Sequence, residues 1–164
     1  MTPEFSRPFR AQDVGTANRQ QMIEADADER AALANRFDLL GLDRLTAAID
    51  LIREATGIRV TGQIHAGGSQ PCVATAEPVP FLITERLALL FTDLAPDGDD
   101  IELAGADLDA EPLVGDTIDM GEIAAQALSV ALDPYPRSAL SAPGVISEAQ
   151  ARAASNPFAV LKKL

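Results

Sequence analysis

The chain has no tryptophan, a single tyrosine, a single histidine and a single cysteine, and aromatics make up only 4% of its 164 residues. A core must therefore come from Leu, Ile, Val and Ala, which the 47% hydrophobic content allows at a length suited to one domain. One cysteine excludes an internal disulfide and fits a reducing compartment. No apolar run approaches the ~18–20 residues of a membrane span, and the N-terminus lacks the basic-then-apolar order of a signal peptide. The expectation is a cytoplasmic protein without membrane association.

The sharpest deficit is local. Between Arg86 and Arg137 there is no Lys, Arg or His. That interval holds Asp93, Asp97, Asp99, Asp100, Glu102, Asp107, Asp109, Glu111, Asp116, Asp119, Glu122 and Asp133. These twelve acids account for the whole net charge of -12, because the other acids are matched by the 13 Lys and Arg. A polyanion repels phosphate backbones and attracts basic surfaces. Direct nucleic-acid contact through residues 87–136 is thus disfavoured, and Asp97, Asp99, Asp100 and Glu102 become candidate contacts for a basic protein partner. A solvated loop that only keeps the chain soluble accounts for the same charges.

What is present reads as α+β: an antiparallel, strongly bent or barrel-like sheet with a long central hairpin and two main helices. Phe5 to Phe9 forms a short edge strand, with Pro8 barred from a central ladder. Asp26 to Phe37 is a helix, with Asp26 and Glu29 as a variant capping box and Gly41 as a stop. Leu45, Ala47, Ile49 and Leu51 alternate with polar or small residues, as do Ile58, Val60 and Ile64, and then Phe81, Ile83, Leu87, Leu89 and Phe91. Such alternation indicates strands covered on one side. Gly57 marks a turn, and Gly67-Gly68 with Ser69 to Pro80 reads as the far end of the hairpin. Asp93 to Gly115 is a connection with a short strand at Ile101–Leu103. Asp119 then caps a second helix, with Glu122 completing a capping box, Ile123, Ala127, Val130 and Ala131 as the buried stripe, and Asp133-Pro134-Tyr135-Pro136 as the stop. Residues 1–137 make one domain that includes an acidic segment at 93–122. Residues 138–155 are a flexible tether with weak helical promise at Ser147–Ala154, and 156–164 are a terminal amphipathic turn.

In that turn, Asn156 is a good N-cap and Pro157 suits the first helical position. Phe158, Leu161 and Leu164 recur on one face beside Val160, while Lys162 and Lys163 favour the helix C-terminus. A helix this short is marginal alone, so it docks on its own domain or on a partner. Asn156, Pro157, Phe158, Val160 and Leu161 are therefore candidate partner-binding residues.

The sequence offers no active site. A Cys72–His65 pair invites a nucleophile reading, yet His65 falls on a polar strand face and no Gly-rich oxyanion turn follows Cys72. The acids lack EF-hand spacing, and Gly67-Gly68 lacks the Lys-Ser/Thr of a phosphate loop. No catalytic residue, metal site or cofactor is expected.

The ending Asn156-Pro157-Phe158-Ala159-Val160-Leu161 also resembles a known family. Together with Glu77-Pro78-Val79-Pro80 and the run from Ile118 to Arg137, it looks like the YceD-like family, the large ribosomal RNA subunit accumulation proteins, in their alphaproteobacterial form. The resemblance covers nearly the whole chain from Glu4-Phe5-Ser6-Arg7-Pro8 onward. It implies a non-enzymatic role in accumulation of large-subunit ribosomal RNA, with a basic ribosomal protein or assembly factor as partner. It also implies Cys-x-x-Cys at the hairpin and a Cys after the second helix, a set suited to zinc. Here Ser69 holds the first position, Cys72 the second and Arg137 the later one, and one thiolate cannot cage zinc. Gln126 stands where relatives often have an acid. The alternative is a small-molecule-binding or enzymatic α+β barrel with a pocket between sheet and second helix.

Overall fold

The two helix caps anchor the architecture. In a computed structural model that describes residues 3–92 and 109–139, Asp26 caps α1 (Ala27–Arg36). Its carboxylate accepts from the Glu29 N–H at 2.9 Å, and the Glu29 carboxylate accepts from the Asp26 N–H at 2.8 Å, the reciprocal box read from the sequence. The expected stop at Gly41 is displaced. The helix ends at Arg36, and Asp38 takes the left-handed conformation at φ 53°, which a short side chain able to bond its own backbone tolerates. Gly41 instead opens the first long strand.

Among the described residues there are seven strands: β1 (Pro8–Arg10), β2 (Arg19–Glu24), β3 (Gly41–Glu54), β4 (Gly57–Pro71), β5 (Pro78–Thr92), β6 (Asp109–Pro112) and β7 (Thr117–Asp119). The sheet order is β2-β3-β4-β5-β6, with β1 and β7 forming a separate two-stranded ladder. The architecture is the expected α+β with two helices. Its sheet is open, with β2 at one edge and β6 at the other, so these strands do not close a barrel. The β5–β6 pair runs parallel, in contrast to the antiparallel expectation.

Leu45, Ala47, Ile49, Leu51, Ile58, Val60 and Ile64 are all buried on one face, as their alternation requires. Both helices cover that face, α1 against β3 and α2 (Met120–Ala131) across β3, β4 and β5. The opposite face carries exposed Thr84, Arg86 and His65. Gly67 and Gly68 do not break β4 but lie within it, paired to both neighbouring strands. A Cβ on Gly68 would stand 2.3 Å from the Gly41 carbonyl oxygen, so the residue permits close strand approach beside the bulge between Leu42 and Arg44. The hairpin tip is therefore only Cys72–Glu77. The N-terminal strand is also shorter than expected, because Phe5 is fully buried in the core and only Pro8–Arg10 pair, with β7.

Asp119 caps α2 by accepting from the N–H groups of Gly121 and Glu122 at 3.0 and 3.3 Å. It also accepts from the Arg7 N–H at 2.7 Å and the Ser6 hydroxyl at 2.5 Å, tying the N-terminal segment to the helix start. The expected second capping box is only half formed. The Glu122 carboxylate faces Arg36 at 2.8 Å, a charged partner that outcompetes a single backbone N–H. The buried face of α2 differs from the expected stripe as well. Met120, Gly121, Ile123, Ala124, Ala125 and Leu128 are buried, so Ile123 of the expected stripe does lie in the core and Ala127 packs against it, whereas Val130 is 87% exposed. Among the described residues no helix is long and apolar enough to cross a membrane.

Candidate functional site

Alpha-helix 2 carries apolar residues on two faces. One face is the core stripe. The other, Ala127, Val130 and Ala131, lines a cleft against Leu89 of β5, with the buried core residues Ile123 and Leu87 at its floor. The cleft has a volume of 380 Å³, and Glu85, Arg86, Asp109, Glu111 and Gln126 supply its polar wall. Strand β6 places Asp109 beside Leu89 and Glu111 beside Phe91, so the parallel pairing delivers the carboxylates to the rim. Every residue of β6 is exposed.

The rim is electrostatically one-sided. Among the described residues, the side chains of Glu85, Asp109 and Glu111 make no ion pair or hydrogen bond, and Arg86 is the one cation on the lining. Several carboxylates elsewhere are matched. Arg7 bonds both oxygens of Glu29 at 2.6 and 2.9 Å, which holds the Glu29 carboxyl below its ordinary value. Arg36 bridges Glu4 at 2.9 Å and Glu122 at 2.8 Å, and its hydrogen bonds likewise hold the Glu122 carboxyl low. Arg59 pairs with Glu54 at 2.8 Å across the β3–β4 turn.

A second cluster forms at the hairpin tip. The segment after α2 straps onto it: the Val73 N–H donates to the Pro136 carbonyl at 2.9 Å, and Gln70 Nε2 donates to the Asp133 carbonyl at 2.9 Å. The Ser138 N–H donates to the buried Cys72 sulfur at 3.4 Å, and the Ser138 hydroxyl bonds Glu77 at 3.1 Å. Position 137 is thus brought to Cys72. Among the described residues no three His, Cys, Asp or Glu side chains gather into a metal-holding group.

The Cys72–His65 pair is not assembled. His65 is exposed in mid-β4, where its Nδ1 lies 3.0 Å from the Thr84 hydroxyl. The rest of β4 up to Pro71 separates it from Cys72 by about 20 Å at ~3.3 Å per residue. Gln126 is exposed and donates to Glu122 at 3.3 Å. Asp97, Asp99, Asp100 and Glu102, with the 101–103 strand, lie outside the described residues. So do Asn156, Pro157, Phe158, Val160 and Leu161, and positions 140–155 of the tether.

The sequence reading missed Glu85, which precedes the last cation before the cation-free interval, and of the α2 stripe it placed Val130, but not Ile123, wrongly in the core. The signal was available: with eight Ala, Ile, Leu, Val or Met among its 12 residues, the stretch from Met120 to Ala131 has more apolar surface than one stripe can use. Compared with known proteins, the chain matches no family model, no curated protein and no solved structure.

Proposed function

We propose that this chain is a non-enzymatic cytoplasmic factor that supports accumulation of large-subunit ribosomal RNA by holding a basic ribosomal protein or assembly factor. The single observation that carries the binding role is the cleft rim of Glu85, Asp109 and Glu111, whose side chains have no partner among the described residues and of which Asp109 and Glu111 belong to the cation-free stretch. Exposed carboxylates without partners keep their full field for an incoming basic surface. The ribosomal setting rests on the resemblance of the chain's ending and of Ile118 to Arg137. In this reading Asp97, Asp99, Asp100 and Glu102 extend the acidic contact, and Phe158, Val160 and Leu161 engage the partner through a short helical face. The segment from 87 to 136 avoids RNA directly.

Pull-down from lysate at low and high salt tests the reading. A basic protein should be retained at low salt and lost at high salt, since exposed charges are screened within roughly 8–10 Å at physiological ionic strength. Replacing Asp97, Asp99, Asp100 and Glu102 by Asn or Gln should slow association while the fold persists. Retention of the partner at unchanged rate would leave the segment a solubilising loop. A second reading, a small-molecule ligand in the same cleft, is favoured by the cleft's 380 Å³, within the size range of ligand sites. Thermal stabilisation of the purified chain by a metabolite set would support it.

A further inference from the structure

The acidic role assigned above leaves the apolar half of the cleft unused. Ala127, Val130 and Ala131 stand three and four residues apart along α2 and, with half-buried Leu89, leave apolar surface open above the buried Ile123 and Leu87. Val130 is 87% exposed, although the same helix buries Leu128 completely. A helix with two apolar faces is expected where both are covered. The second face is bordered by Glu85, Asp109 and Glu111, which have no partners among the described residues, and by Arg86.

We infer that this cleft is the docking groove for an amphipathic basic segment of the partner protein. Its apolar side chains would seat against Ala127, Val130, Ala131 and Leu89, and its Lys or Arg side chains would reach Glu85, Asp109 and Glu111. Charge complementarity selects this occupant. A neutral apolar segment would leave three carboxylates half desolvated without counter-charge, and an acidic one would be repelled. The inference deepens the proposed function and rests on it, since it names the site and the chemistry of the contacting segment.

The test places a photo-crosslinking residue at Val130, at Ala110 on the acidic edge, or at Met22 on the far side of the sheet, in the full chain expressed in its native cells. Crosslinked peptides are then sequenced. Position 130 should capture a segment of another protein that alternates apolar residues with Lys or Arg, above the yield at position 22. A synthetic peptide of that segment should bind the purified chain, and Val130→Lys should weaken binding on the order of tenfold, as expected for a central contact, whereas Met22→Lys leaves it unchanged. Capture at position 130 of residues 140–164 of the same chain, of a second copy, or of a segment lacking cations overturns the groove assignment. Capture of a basic protein at 110 but not at 130 overturns the groove alone and leaves the proposed function standing. Capture at neither position overturns both.

Discussion

Two corners of this protein use carboxylates in opposite ways. At the corner where α1, α2 and the N-terminal segment meet, Glu29, Glu4 and Glu122 each hold an arginine, and Asp119 collects four donors. At the cleft between α2 and the β5–β6 edge, Glu85, Asp109 and Glu111 hold none of the described residues. The first set spends its charge inside the fold, where fork geometry and several hydrogen bonds fix three chain segments together. The second set leaves its charge facing outward over an apolar floor. Position in the chain does not separate them, because Asp119 and Glu122 belong to the same cation-free interval as Asp109 and Glu111. The arginines that divide them, Arg7 and Arg36, come from the far end of the sequence.

The contrast is most easily broken on α2 itself. Leu128→Ala should lower unfolding free energy by about 2–5 kcal/mol, as for other fully buried leucines, while Val130→Ala, with its side chain in the open cleft, should stay within about 0.5 kcal/mol. Urea midpoints for the two variants provide the comparison, and equal losses would place Val130 in the core after all. Next in size is Arg36→Ala. It releases both Glu4 and Glu122 from a half-exposed bridge and should cost about 1 kcal/mol at most. The triple change Glu85→Gln, Asp109→Asn, Glu111→Gln should cost nothing measurable in the same assay yet weaken salt-sensitive partner binding. A destabilised triple variant would mean that the rim supports the fold.

Acid pH sharpens the same division. Glu29 and Glu122 titrate lower in the folded chain than their ordinary 4.5, first because of their hydrogen bonds to Arg7 and Arg36. The stability they contribute is therefore present above about pH 4.5 and lost as pH falls through the lower folded values. Denaturation followed from pH 6 down to pH 3 should show a shallower decline for the Glu29→Gln, Glu122→Gln double variant than for the parent. Parallel curves would show that other groups govern the acid response. The smallest expected effect comes from truncation after Ser155. It should leave the melting temperature nearly unchanged while reducing large-subunit RNA in a strain that depends on the protein. A large fall in melting temperature would show instead that residues 156–164 are covered by their own domain.

Much of the fold was legible where a pattern had one reading. The Asp26–Glu29 box, the alternation from Leu45 to Leu51 and the polar strand face of His65 are local or period-two signals that few conformations satisfy. Legibility failed where a pattern was degenerate. Ile123, Ala127 and Val130 have the spacing of a buried stripe, but so do Met120, Ala124 and Leu128; Ile123 is buried with the second set while Val130 is exposed, a split that periodicity does not rank. Gly67-Gly68 looked like a hairpin end because glycine commonly interrupts strands. In the fold, Gly68 serves contact with the Gly41 backbone, a residue distant in sequence.

The sequence by itself determined where the helices begin, which faces of β3 and β4 turn inward, and where negative charge accumulates, because each depends on neighbours within a few residues or on composition alone. Only the tertiary structure decided which carboxylates are neutralised and which face of α2 is left to the cleft. Those outcomes depend on Arg7, Arg36 and the parallel placement of β6 beside β5. These contacts join segments tens of residues apart, and no local periodicity encodes them.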